Sequence, residues 1–235
     1  AITRPNSSAR AESERVATVF RDGETIELLP RDENIISQAI GINDNNWITG
    51  AVLPPSSTAS RSRLFVYNLE TEEKVYPEGF FTSGGVTPNA INNNNIVVGS
   101  ADVTATNETQ RQTTAFMYNI ETEELIDLND LVSCDNTYEL VEAVDINDNN
   151  EIIANARFRT TSKHITGVEI LDSAGETNAV DSIVAVKLSP LSNGTIDDCE
   201  VPDDEQPYER QAASTGWLAL GGILLAGLFR RRIKR

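Results

Sequence analysis

The chain has 235 residues, with 36 acidic against 19 basic side chains and a formal net charge of −17. Five of the basic residues lie at 230–235, so residues 1–229 carry −22, from 14 basic and 36 acidic side chains. A body of that sign will not hold phosphate backbones, which excludes nucleic acid as a partner; two cysteines, one histidine and no CxxC leave no zinc pattern.

Residues 1–13 carry no periodic pattern and read as an N-terminal extension. From residue 14 short β-branched and aromatic runs alternate with turn residues. Val16–Phe20 and Thr25–Leu29 flank Asp22-Gly23, a strong hairpin signal. Ile36–Ile42 and Trp47–Val52 flank Asn43-Asp44-Asn45-Asn46. Asn and Asp suit such a turn because they tolerate positive φ and bond back to their own backbone.

Both patterns recur. Ile42-Asn43-Asp44-Asn45-Asn46 returns as Ile91-Asn92-Asn93-Asn94-Asn95 and as Ile146-Asn147-Asp148-Asn149-Asn150, at spacings of 49 and 55 residues. Phe65-Val66-Tyr67-Asn68-Leu69-Glu70-Thr71-Glu72-Glu73 returns after 51 residues as Phe116-Met117-Tyr118-Asn119-Ile120-Glu121-Thr122-Glu123-Glu124. Looser copies of this second pattern are Val19–Glu24 and Ile170–Glu176. A period near 50 marks a repeat architecture. The expected fold is all-β, with four-stranded antiparallel blades at about 14–53, 61–103 and 112–158 and a degenerate one at 164–188. Together they make a propeller-like body, 14–190, that this chain alone leaves incomplete. No stretch before residue 212 has a long helical period.

Residues 191–213 are acidic and Pro-containing, and read as an extended stalk. Ala212 to Phe229 is uncharged for 18 residues, roughly 27 Å as a helix. Its strongly apolar part, Trp217 to Phe229, is 13 residues, short for an anchor. Trp217 suits a headgroup layer, and Arg230, Arg231, Arg232, Lys234 and Arg235 fix the cytoplasmic end. The segment 214–235 therefore predicts a C-terminal hydrophobic helix in a membrane, with the body outside the cytoplasm. Cys134 and Cys199 would pair in that oxidising compartment, closing a loop of about 65 residues worth roughly 3–4 kcal/mol. The chain opens at Ala1 without an export signal, which suggests either a removed signal or the C-terminal part of a longer protein. The repeat count favours the second.

The tail resembles a GlyGly-CTERM sorting signal of Gram-negative bacteria, which implies cutting by a rhomboid-like sorting protease. Ser214, Thr215, Gly216 and Trp217 stand at the site, although Ala212-Ala213-Ser214-Thr215 replaces the usual glycine pair. The repeats resemble the HAF-type extracellular repeat. Ala39, Ile42, Asn43, Ile48 and Gly50 match it, as do Ile91, Asn92, Val97, Gly99 and Thr114-Ala115-Phe116-Met117-Tyr118. Departures are Asn46, Asn95 and Asn150, where Gly is common, and Ala154 for the closing Gly. Repeats and tail together resemble the domain of unknown function 3466 family of bacterial surface proteins, which implies no activity.

No catalytic motif emerges. A triad would need His164, beside Lys163 in a polar stretch and without a GxSxG elbow. No P-loop or dinucleotide fingerprint is present. The Asn/Asp turns have oxygens for calcium but lack the alternating carboxylates and distal Glu of a calcium loop, so no cofactor is expected. Glu70–Glu73 and Glu121–Glu124 read as solvated turns. The expected function is an exported, cell-surface or secreted, non-enzymatic repeat protein that binds or displays a surface ligand. The alternative is a surface hydrolase for glycan or peptide, which has only fold analogy behind it.

Overall fold

A computed structural model describes residues 2–3, 13–29, 36–53, 61–80, 84–103 and 112–194. They form strands and turns, with one short 3-10 turn at Leu128–Leu131 and no α-helix among the described residues. Strands β1 (Ile2–Thr3) and β2 (Ser13–Glu14) pair, and β3 (Thr18–Arg21) and β4 (Glu24–Glu27) make a hairpin around Asp22-Gly23. Both turn residues have positive φ, 53° and 84°, as that tight hairpin requires.

Three antiparallel meanders follow. The first sheet is β5 (Ile36–Ile42), β6 (Trp47–Leu53), β7 (Arg63–Asn68) and β8 (Lys74–Val75). The second is β9 (Val86–Ile91), β10 (Ile96–Val103), β11 (Gln112–Asn119) and β12 (Glu124–Asp127). The third is β13 (Tyr138–Ile146), β14 (Ile152–Thr161) and β15 (Ala179–Leu188). The all-β expectation holds, and the Asn-turn hairpin of the first sheet falls at the expected residues.

The sheets are cut in a different phase from the expected blades. Each starts on the strand before an Asn turn and, in the first two, ends on the strand after a Glu turn. The long polar stretches beginning at residues 54 and 104 look like boundaries in sequence, yet each joins the second and third strands of one sheet. Residues 164–188 are not a separate blade. β15 is the third strand of the third sheet, and 162–178 is an excursion with bridges Lys163↔Glu169 and Leu171↔Thr177. The hairpin β3–β4 does not join β5–β6; it lies in a sheet of its own.

Three apolar clusters hold this series together. Ala17, Leu28 and Leu29 beside the β3–β4 hairpin pack on Ile48, Val52 and Phe65 of the first sheet. Leu64 and Val66 meet Val86, Val97, Phe116 and Tyr118 of the second. Ile96, Val98 and Ala115 meet Leu140, Ala143, Ile152 and Ala154 of the third. Strands β6 and β10 are thus buried on both faces, which explains their nearly continuous apolar runs.

Each sheet also carries the same bulge. Register shifts in the first strand of each, leaving Ile40, Asn89 and Val144 as the extra residues, and the third sheet shifts a second time at Val141. Just beyond it the closing glycines admit no side chain. A Cβ on Gly50 would lie 2.2 Å from the Gln38 carbonyl oxygen and 2.4 Å from the Phe65 ring. On Gly99 it would lie 2.1 Å from the Thr87 oxygen and 2.9 Å from Phe116. The third sheet sets Ala154 opposite Val186, where the others set Gly opposite Phe. The departure at Ala154 thus goes with loss of the aromatic ring.

Candidate functional site: the asparagine turns and an aromatic recess

The three Asn turns are built alike. The first Asn of each folds its side-chain oxygen back over its own turn. Asn43 Oδ1 accepts from the backbone N–H of Asn45 and Trp47, at 3.1 and 2.9 Å. Asn92 Oδ1 accepts from Asn94 and Ile96, and Asn147 Oδ1 from Asn149 and Glu151. The Asn at the fourth position of each turn takes positive φ: 62° at Asn46, 61° at Asn95 and 58° at Asn150. Glycine would satisfy that φ equally well, so backbone conformation alone does not explain an asparagine there.

The explanation lies between the sheets. Asn43 Nδ2 donates to the Asn92 carbonyl oxygen at 2.9 Å and to Asn95 Oδ1 at 2.8 Å. One sheet further on, Asn92 Nδ2 donates to Asn147 O at 2.9 Å and to Asn150 Oδ1 at 2.7 Å. Asn45 Nδ2 donates to Asn93 O and Asn95 Oδ1, and Asn94 Nδ2 to Asp148 O and Asn150 Oδ1. The Asp44 backbone N–H donates to Asn93 Oδ1 and the Asn93 N–H to Asp148 Oδ1. Asn93 Nδ2 joins both neighbours, donating to Asp44 Oδ2 and Asp148 Oδ2. Apart from the bond from Asn93 back to Asp44, the turns form one directed ladder in which amides of each turn donate to the next. At Asn95 and Asn150 the side chain is needed for its Oδ1, which receives two of these bonds.

The same residue ties in the second sequence pattern. Asn46 Nδ2 donates to Glu70 Oε1 at 3.0 Å and Asn95 Nδ2 to Glu121 Oε1 at 3.2 Å. Asn68 and Asn119 cap the Glu turns through their Oδ1 atoms. Glu72 and Glu123 hold positive φ there, 57° and 58°. Glu70 and Glu121 are exposed, as read in sequence, and are also bonded to the ladder.

A recess of about 530 Å³ opens between the connection after β8 and the β11–β12 hairpin, lined by Val75, Tyr76, Phe80, Tyr118, Leu125 and the acids Glu78 and Glu123, with Pro77 and Gly79. Tyr118 is buried, and burial first, then Glu123 and Glu73, pushes its phenol up to about 12. It stays a neutral hydroxyl. Lys74 Nζ stands 5.8 Å from the Tyr76 ring centroid, so that ring already faces a cation.

Residues 2–232 match the model of a family described as Protein of unknown function (DUF3466). The chain belongs to the DUF3466 family. No curated protein matches it.

Within this DUF3466 chain the residues singled out in sequence are scattered. Cys134 lies exposed in the turn closed by Asn136 N–H to Ser133 O at 2.9 Å. No free thiol occurs among the described residues. Cys199, the stalk beyond Gly194, the region Ser214–Trp217 and the cluster Arg230–Arg232, Lys234 and Arg235 lie outside the described residues. His164 sits in an exposed turn, its backbone N–H bonded to Val168 O at 2.8 Å. The turn carboxylates of Asp44 and Asp148 accept from Asn93, and no metal-holding group of His, Cys, Asp or Glu occurs among the described residues. Sequence reading missed the recess altogether. Tyr76 and Phe80 carry no repeat signal, and only the Tyr118 and Glu123 copies lie in a pattern.

Proposed function

We propose that this chain is the body of an exported, cell-surface or secreted, non-enzymatic repeat protein with a binding role. Its sheets would be blades of a propeller-like array, and its C-terminal segment would tether or sort it through a membrane and a rhomboid-like protease. The observation that carries the binding role is the recess. Aromatic side chains and carboxylates line it together, with no basic residue among its lining, on a chain of net charge −17. Rings and carboxylates both favour a cation, the rings through their negative faces. The chemistry that fits is an organic cation, a quaternary ammonium or a basic side chain. About 500 Å³ is a common size for a small-molecule site. Isothermal titration of the protein with choline should give saturable heat that Tyr76→Leu abolishes. The neutral isostere 3,3-dimethylbutan-1-ol should give none. No saturable heat from choline, or equal heat from the neutral alcohol, refutes a cation site.

A further inference from the structure

The ladder has a direction, so its two ends differ. At the third turn the donor has no described turn beyond it. Asn147 Nδ2 instead donates to Glu151 Oε2 at 2.9 Å. The other oxygen of that carboxylate meets Lys187 Nζ at 2.5 Å and accepts from Ser189 Oγ at 3.4 Å. Glu151 follows its turn as Trp47 and Ile96 follow theirs, and those two pack into the clusters that join each sheet to the next. Lys187 pairs with Ile153 as Val66 pairs with Thr49 and Met117 with Val98. Thr49, Val66 and Val98 are all 0 % exposed beneath the following sheet, whereas Ile153 is 50 % exposed. At these three positions the third sheet keeps one apolar residue and replaces the other two with an ion pair.

We propose that Glu151, Lys187 and Ser189 cap the ladder and make the outward face of the third sheet a closed end that refuses another sheet of this kind. The sheet it must refuse is the first sheet of a second copy. That sheet offers the matching atoms, Asn43 O and Asn46 Oδ1, beside Ile42. Ile42 is 57 % exposed, while its counterpart Ile146 is 7 % exposed under the preceding sheet. Stacking the third sheet on that edge would strand the Glu151–Lys187 pair in a dry contact, where charges pay heavy desolvation. Repeat arrays in general need a polar outer face on their last unit to stay soluble.

The test restores the apolar types of the sister sheets. The full chain and its Glu151→Ile/Lys187→Val variant are compared by sedimentation velocity in one detergent, each over a hundredfold range of concentration. The parent should sediment as one concentration-independent species. The variant should shift to dimers and larger species as concentration rises, and adding Ile42→Lys should return it to the parent value. If the double variant does not fold, Glu151→Ile/Lys187→Met, which copies Ile96 and Met117 of the second sheet, takes its place and should show the same concentration dependence. A folded variant that sediments like the parent at every concentration overturns the cap. So does association that Ile42→Lys leaves untouched, or a parent that associates through the same edge.

Discussion

Replacing Asn92 with alanine tests whether the ladder, and not the turn alone, holds the second and third sheets together. Asn92 is buried and makes four hydrogen bonds: its Oδ1 accepts from Asn94 N and Ile96 N, and its Nδ2 donates to Asn147 O and Asn150 Oδ1. Each such bond contributes about 0.5–1.5 kcal/mol net, and a buried group left without its partner costs more. The expected loss is about 3–5 kcal/mol, a large part of a stability of about 5–15. Asn147→Ala is the control. Asn147 caps its own turn in the same way, but it is exposed and its amide reaches only Glu151. Water replaces those bonds, so the cost should be about 1 kcal/mol. With a urea m of about 2 kcal/mol/M, the midpoint should fall by about 2 M for Asn92→Ala and by about 0.5 M for Asn147→Ala. Asn92→Asp keeps the acceptor and removes both donors, so it should cost most of what alanine costs. Equal midpoint shifts for Asn92→Ala and Asn147→Ala would refute the reasoning, because turn capping alone would then account for both.

Gly99→Ala should lower the urea midpoint by the equivalent of about 3 kcal/mol, since its Cβ meets a backbone oxygen that cannot move aside, while Ala154→Gly should cost about 1 kcal/mol. The Glu151 carboxyl is held below its ordinary value by the hydrogen bond from Lys187 first and Asn147 next; a lowered folded value means its contribution is full above the ordinary glutamate range and lost as pH falls through the folded value. Chemical denaturation of Glu151→Gln and parent should therefore differ at neutral pH and converge in acid, and a constant difference would refute the pairing. Mass spectrometry of unreduced peptides from protein recovered from cells should find Cys134 joined to Cys199, and two freely alkylated thiols would sink that pairing. The mature protein should end near Ser214–Trp217, and Gly216 replaced by a bulky residue should leave full-length chain in the membrane; a mature chain ending at Arg235 would make the tail an ordinary anchor.

The local elements were legible in the sequence and the assembly was not. Period-2 runs and Asn/Asp turns place β5 and β6 well, because strand and turn preferences act over a few residues. The phase of the sheets was lost because a polar stretch looks the same within a sheet as between sheets. What decides the phase is which residues are buried on both faces, and Ile48-Thr49 and Val97-Val98 show that only once neighbours are in place. The ladder was hidden for a related reason. An asparagine that caps its turn with one end of its amide looks complete in one dimension. The other end, the Nδ2 that reaches a residue 49 or 55 positions away, gives no local sign. One clue was present: Asn46, Asn95 and Asn150 stand where Gly is common and where Gly would be cheaper in φ. An asparagine kept in a glycine's place implies a task for its side chain.

That task bears on how the molecule behaves as a whole. The apolar clusters between sheets are non-directional and would tolerate small slips of one sheet along the next. The ladder does not tolerate them. A slip of one residue moves Asn43 Nδ2 off both Asn92 O and Asn95 Oδ1 and sets donor against donor. The hydrophobic contacts supply most of the stability, and the turns fix the register in which those contacts are made. Because the fourth Asn is also bound to the Glu turn of its own sheet, the register of one sheet is passed through Asn95 to Glu121 and so to the β11–β12 hairpin. That hairpin forms one wall of the aromatic recess through Tyr118, Glu123 and Leu125. One wall of the recess is therefore tied to the ladder, and Asn95→Ala should weaken the choline binding proposed for the recess although Asn95 is not among its lining residues.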